Sequence, residues 1–143
     1  MYGEVGMSDL KIYKGKCLCG EVSFKAEAPK KEVGLCHCTM CRRWNSGPFH
    51  ALAVPFDALK VESGEENISY YRSSDYARRA FCSNCGSSLF YHGDKIPEIA
   101  HEVYFSAGLL EEPTGLKMAG HIFCASKGDY YEIEGDLPQH ETV

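Results

Sequence analysis

Apolar and polar residues alternate most clearly over residues 20–27. Val22, Phe24 and Ala26 fall on one side, and Glu21, Ser23, Lys25 and Glu27 on the other. A two-residue period of this kind predicts a half-buried strand. Pro29-Lys30-Lys31 is expected to break it, and the short apolar run 33–36 follows. Residues 49–54 read as another strand closed by Pro55, then a turn or single helical turn over 56–59 and a short strand over 60–62 ended by Ser63-Gly64. Residues 68–72 and 77–81 read as paired strands joined by Ser73-Ser74-Asp75, with Cys82 delivered at the end of the second. Further strands are expected at 88–91, 102–106 and 119–125, ahead of an acidic, turn-rich tail. No segment keeps a helical period over three turns, so the pattern predicts one mainly β domain.

Composition narrows the class. A chain of 143 residues with 44% apolar and 24% charged residues is an ordinary globular domain. The longest apolar stretch, 51–56, is far too short to span a bilayer. The first ten residues have neither a basic start nor an apolar centre, so no secretory leader is expected and a cytoplasmic location is. A formal charge of −5 without a long basic run disfavours nucleic acid as a partner, and no membrane partner is expected.

The eight cysteines are the chemical signal. They are too sparse for a dense disulfide scaffold and belong to a chain expected to stay in a reducing compartment. They are also clustered: Cys17-x-Cys19, Cys36-x-Cys38-x-x-Cys41 and Cys82-x-x-Cys85, with Cys124 alone. Short spacings let neighbouring thiolates converge on one tetrahedral ion, and an all-sulfur set suits zinc over a hard cation. The spacings match neither ferredoxin pattern. Two pairs make a closed, structural four-thiolate site. The triplet makes a site with three protein ligands and a position left for substrate. Spacing leaves one alternative open, in which Cys124 completes the triplet and both sites are closed.

Seven deprotonated thiols and two Zn²⁺ ions add three negative charges to the formal −5. Nearby cations should offset them, and Arg42 and Arg43 follow Cys41 directly. These arginines and Trp44 are candidates for substrate contact, holding a carboxylate or walling the pocket. Arg78 and Arg79 alternate on their strand, so one of them faces the same pocket. His37 lies between two ligands but points away from them in an extended turn. His121 and Lys127 are placed on the last strand, where His121 is either a proton carrier or a hydrogen-bonded structural histidine. Cys124 alternates with Ile122 there and is expected as a buried thiol.

Several stretches together resemble the glutathione-dependent formaldehyde-activating enzyme family, which includes centromere protein V. They are Gly15-Lys-Cys-Leu-Cys-Gly-Glu-Val22, Cys36-His-Cys-Thr-Met-Cys-Arg-Arg43, Tyr71-Arg-Ser-Ser74, Phe81-Cys-Ser-Asn-Cys-Gly86, and His121-Ile-Phe-Cys-Ala-Ser-Lys127 with Leu137-Pro-Gln139. The resemblance implies a zinc-bearing fold of curved sheets, a β-tent, over residues 13–143, with 1–12 as an extension. It implies two Zn²⁺ per chain: a structural ion on Cys17, Cys19, Cys82 and Cys85, and an active-site ion on Cys36, Cys38 and Cys41. The implied activity is that of a carbon–sulfur lyase that joins formaldehyde and glutathione as S-(hydroxymethyl)glutathione. A non-enzymatic zinc module for protein interaction is the alternative. Gly128-Asp129-Tyr130 departs from the Ala-Pro-Trp that commonly follows Ser-Lys in the family.

Overall fold

The computed structural model describes residues 10–29 and 32–143. Residues 1–9 of the expected extension, and Lys30 and Lys31 of the expected break, lie outside them. The strands are β1 (Leu10–Lys16), β2 (Ser23–Pro29), β3 (Val33–Cys36), β4 (Phe49–Pro55), β5 (Leu59–Ser63), β6 (Ile68–Arg72), β7 (Arg78–Cys82), β8 (Ser88–His92), β9 (Glu102–Ser106) and β10 (Met118–Ile122). One short helix, α1 (Thr39–Asn45), follows β3. Strands β1, β2 and β5 form a three-stranded sheet, and the rest form a seven-stranded sheet in the order β10-β3-β4-β9-β8-β7-β6. All its pairs are antiparallel except β10 with β3. The chain is mainly β, as the hydrophobic pattern predicts. Among the described residues no helix is long and apolar enough to cross a membrane.

The two-residue period of β2 builds the core. Val22, Phe24, Ala26 and Ala28 are buried against Leu52 and Val54 of β4, Phe90 of β8, and Val103 and Phe105 of β9. Phe24 meets Phe105 and Phe90 edge-on, with ring centroids 5.1 and 6.4 Å apart. Register divides the large sheet into two faces. Leu52, Phe105, Phe90 and Ala80 run across it as direct partners and line the core. The next row, Ala53, Tyr104, Tyr91 and Arg79, therefore lies on the opposite, outer face.

Three elements differ from the sequence reading. β1, where the alternation predicts no strand, pairs with β2 along its whole length, from Leu10 opposite Pro29 to Lys16 opposite Ser23. Its inward residues are Tyr13 and Gly15, while Ile12 is 52% exposed, so the aliphatic positions do not mark its buried face. α1 buries only Cys41 and has no apolar period to betray it. It is set by its ends: Cys38 Sγ accepts the Cys41 N–H at 3.3 Å, and Ser46 closes it in the left-handed region at φ 63°. The last strand is shorter than the expected 119–125. It stops at Ile122 because Phe123 turns to φ 56°, and Cys124 and Lys127 leave the strand. Cys124 sits in a single 3-10 turn and is half-buried, which corrects its expected place beside Ile122.

Gly64 ends β5 at φ +76°, and a Cβ there would meet the Glu21 backbone, 2.6 Å from its carbonyl carbon. Gly135 has φ +91° with open space around it. Gly135→Ala should therefore cost only the left-handed strain, about 1 kcal/mol. Gly64→Ala should cost at least about twice that, because β5 must also move away from the Glu21–Val22 backbone. Urea midpoints in metal-replete buffer would check this; equal losses would show that the backbone yields freely at Gly64.

Candidate metal centres

The first centre joins the ends of the two sheets. Cys17 follows β1 and Cys82 ends β7, and both are buried in the core. A turn closed by Gly20 N–H to the Cys17 carbonyl (3.0 Å) brings Cys19 round, with Gly20 at φ +80°. The matching turn runs from Cys82 to Gly86, whose N–H reaches the Cys82 carbonyl at 2.7 Å with φ +81°. The Sγ atoms of Cys17, Cys19, Cys82 and Cys85 all lie within 4.8 Å of one another. Cys17–Cys19 and Cys19–Cys82 are 3.5 and 3.9 Å apart. Tetrahedral zinc with bonds of about 2.3 Å needs sulfurs about 3.8 Å apart, so the set fits that ion. Backbone N–H groups already aim at the sulfurs, Val22 to Cys17 at 3.3 Å and Cys85 to Cys82 at 3.5 Å. The Ser87 hydroxyl pulls the Cys85 thiol down to about 5, and burial pushes Cys82 up to about 11.

The second centre gathers Cys36 at the end of β3, Cys38 at the cap of α1 and Cys41 within the helix, again with all Sγ atoms inside 4.8 Å. Among the described residues no fourth histidine, cysteine or carboxylate joins this group, and Cys124 is not part of it. The Cys124 N–H instead bonds the His140 carbonyl at 3.0 Å, and burial raises its thiol. Hydrogen bonds from Cys36 and Cys41 hold Cys38 far below the ordinary thiol range, while sharing with Cys38 first, and Cys41 next, pushes Cys36 up. The three sulfurs therefore share protons among themselves. A cation that binds all three must displace the remaining protons.

The neighbouring candidates divide between bracing and lining. The Arg42 guanidinium turns away from the sulfurs and donates to the carbonyls of Ser126 (2.9 and 3.1 Å) and His37 (3.3 Å), tying α1 to the tail. Arg43 is exposed and lies about 200° round the helix from Cys41, so it is not brought to the cluster. Trp44 lies on the Cys41 side of α1, its ring 5.2 Å from Phe49. His37 is buried and faces away from the ligands. Its Nδ1 meets the Tyr131 hydroxyl and its Nε2 meets His121 Nδ1, each at 2.8 Å. Burial lowers both histidines, so the pair is neutral near pH 7. Lys127 bonds the Tyr131 carbonyl at 2.7 Å.

Of the two strand arginines, Arg79 faces the cluster. It is 5% exposed, and its Nη1 donates to Cys41 Sγ at 3.5 Å. Arg78 faces the other way, over the Tyr70 ring at 4.2 Å and against His92. Sequence reasoning placed one arginine here without saying which, because strand parity is settled only by the register of β7 with β8. An open groove of about 650 Å³, lined by Val33, Phe49, His50, Leu116 and Met118, contains none of the cysteines.

Known proteins resemble this arrangement. An uncharacterized lyase from Schizosaccharomyces pombe is 39% identical over 79 residues, spanning 55% of this chain and 56% of that protein. The chain thus matches little more than half the length of that relative. A putative glutathione-dependent formaldehyde-activating enzyme from Halomonas elongata is 28% identical over 130 residues, 86% of this chain and 82% of the relative. A crystal structure of a Rhodobacter sphaeroides protein superposes with a TM-score of 0.60 at 26% identity, covering 71% of this chain and 91% of the other. The model for the glutathione-dependent formaldehyde-activating enzymes matches residues 12–126, which carry both cysteine groups. The chain belongs to that family.

Proposed function

We propose that the protein is a zinc-dependent carbon–sulfur lyase that joins a small thiol, glutathione or one like it, to an aldehyde such as formaldehyde. In this reading Cys17, Cys19, Cys82 and Cys85 hold a structural zinc, and Cys36, Cys38 and Cys41 hold the active-site zinc. One observation carries it: among the described residues three sulfurs converge with no fourth histidine, cysteine or carboxylate, while four converge at the other centre. Closed sets build structure, and three-ligand sets keep a place for substrate.

Zinc at the three-cysteine position supplies a Lewis-acid site that favours the thiolate form of a bound thiol near neutral pH. The chain's own residues do the rest. Cys38 and Cys41 are fixed by the start of α1, and Cys36 by the end of β3, so the position for the thiol is preorganised. Trp44 stands one helical turn after Cys41 and packs against Phe49, on the same side of α1. Addition of a thiol to an aldehyde then needs mainly proximity, with the proton passing from sulfur to the new hydroxyl. Three thiolate donors leave the ion a weak acid toward water, which favours thiol over hydroxide at that place.

Metal analysis tests the assignment. Wild type should carry two zinc ions per chain, and Cys38→Ser should stay soluble with about one. Two ions retained in Cys38→Ser would overturn the three-cysteine site. Cys82→Ala should be largely insoluble, because its pair closes a loop of about 65 residues; ordinary solubility would remove the structural role.

Activity is a separate measurement. The appearance of S-(hydroxymethyl)glutathione, followed by NMR exchange at pH 7, should be faster with wild type than without protein. Cys38→Ser should return the rate to the spontaneous one. A wild-type rate equal to the spontaneous rate would leave the family's named chemistry without support here and favour a binding module.

A further inference from the structure

Arg79 is a buried cation with no acidic partner among the described residues. Its guanidinium carbon lies 4.9 Å from the Trp44 ring and 5.0 Å from the Tyr91 ring, so aromatic faces enclose it. Its Nε donates to the Ser73 hydroxyl at 3.1 Å and its Nη1 to Cys41 Sγ at 3.5 Å. Among the described residues no carboxylate lies within 4.0 Å of it. A guanidinium at 5% exposure is costly to keep unpaired, so its counter-charge has to be close by. The three-sulfur cluster is the anion in contact with it.

The four-cysteine centre shows what such a cluster needs for itself. Among the described residues its sulfurs meet the N–H groups of Val22 and Cys85 and the Ser87 hydroxyl, and no arginine. Four thiolates on a divalent ion carry −2 there, supported by neutral dipoles. Three thiolates on the same ion carry only −1, yet this smaller charge is the one given a buried guanidinium. With the guanidinium the three-cysteine centre sums to zero, so a fourth, anionic ligand would bring it only to −1, less than the −2 the four-cysteine centre would carry without an arginine.

We propose that Arg79 is a positioning residue that supplies fixed positive charge to the Cys36–Cys38–Cys41 centre and makes it take a thiolate in preference to a neutral fourth ligand. This rests on the open-site reading above and extends it to the ligand's charge. The role does not involve gripping a substrate carboxylate: the guanidinium is already held by Ser73 and Cys41 and enclosed by Trp44 and Tyr91. It should therefore act on any thiol, charged elsewhere or not.

The test uses the full chain with cobalt in place of zinc, so that thiolate binding is read from sulfur-to-cobalt charge-transfer absorption and not from turnover. Wild type, Arg79→Gln and Arg79→Lys are titrated at one pH with glutathione and with 2-mercaptoethanol, which has no carboxylate. Arg79→Gln should weaken both thiols about tenfold or more, the effect of removing one close opposite charge. Arg79→Lys, which restores the charge without the planar fork, should recover part of that loss. Unchanged affinity in Arg79→Gln would overturn the proposal, as would a loss confined to glutathione or equal losses in the Gln and Lys variants. Arg79→Met serves if Arg79→Gln fails to fold. Should wild type bind neither thiol, the open-site function fails, and Arg79 is judged on cobalt alone. The three-cysteine centre of Arg79→Gln should then hold cobalt about tenfold more weakly than wild type, with the four-cysteine centre unchanged. Equal cobalt affinity at the three-cysteine centre would overturn the charge role.

Discussion

The convergence of Cys17 and Cys19 with Cys82 and Cys85 is the constraint on which the fold depends. Cys17 leaves the small sheet and Cys82 leaves the large one, so the four sulfurs pin the two layers together at one end. The core alone is modest, with a single row of β2 residues against β4, β8 and β9. An ion held by all four would close a loop of about 65 residues and remove much of the freedom the unfolded chain otherwise regains. It would also place β7 accurately, since Cys82 ends the strand on which Arg79 stands three residues earlier. The four-cysteine and three-cysteine centres are thereby joined through a single strand.

Much of this was legible in the chain because it rests on local rules. Strand β2 announces itself by alternation, β4 and β9 lie within a residue of their expected bounds, and the cysteine spacings divide into the same four and three sulfurs that converge in space. What stayed hidden was decided by contacts distant in sequence. Ile12 is outward on β1 although it is the most apolar residue of that segment, since Tyr13 and Gly15 are the positions facing inward. Helix α1 has no buried stripe because sulfur geometry, not packing, sets its register. Phe123 adopts a left-handed conformation that a bulky residue disfavours locally. The tail imposes it by pairing: Phe123 N–H reaches the Thr142 carbonyl at 2.8 Å and Cys124 N–H the His140 carbonyl at 3.0 Å.

The cations near the three-cysteine centre were only partly legible for a related reason. Adjacency in sequence pointed to Arg42 and Arg43, yet residues next to a ligand on a helix are rotated away from it. Arg42 spends its donors on backbone carbonyls of the tail, and Arg43 is exposed. The cation that reaches Cys41 comes from β7, 38 residues away in the chain. Only an extended strand whose outward face carries long side chains can deliver a guanidinium over that distance and bury it between two aromatic rings.

The turn 36–38 shows how binding and bracing are kept apart. Successive side chains there point to opposite sides, so Cys36 and Cys38 face the cluster while His37 faces the tail. Both ring nitrogens of His37 are engaged, by Tyr131 and His121, and the ring is buried and neutral. A neutral imidazole satisfied on both sides adds no charge to the thiolates a few ångströms away, and it resists rotation of the turn. Tail residues can therefore set the orientation of Cys36 and Cys38 without adding a donor to the cluster. Positive charge reaches the sulfurs from β7, through Arg79 on Cys41, and the two demands on one three-residue turn do not conflict.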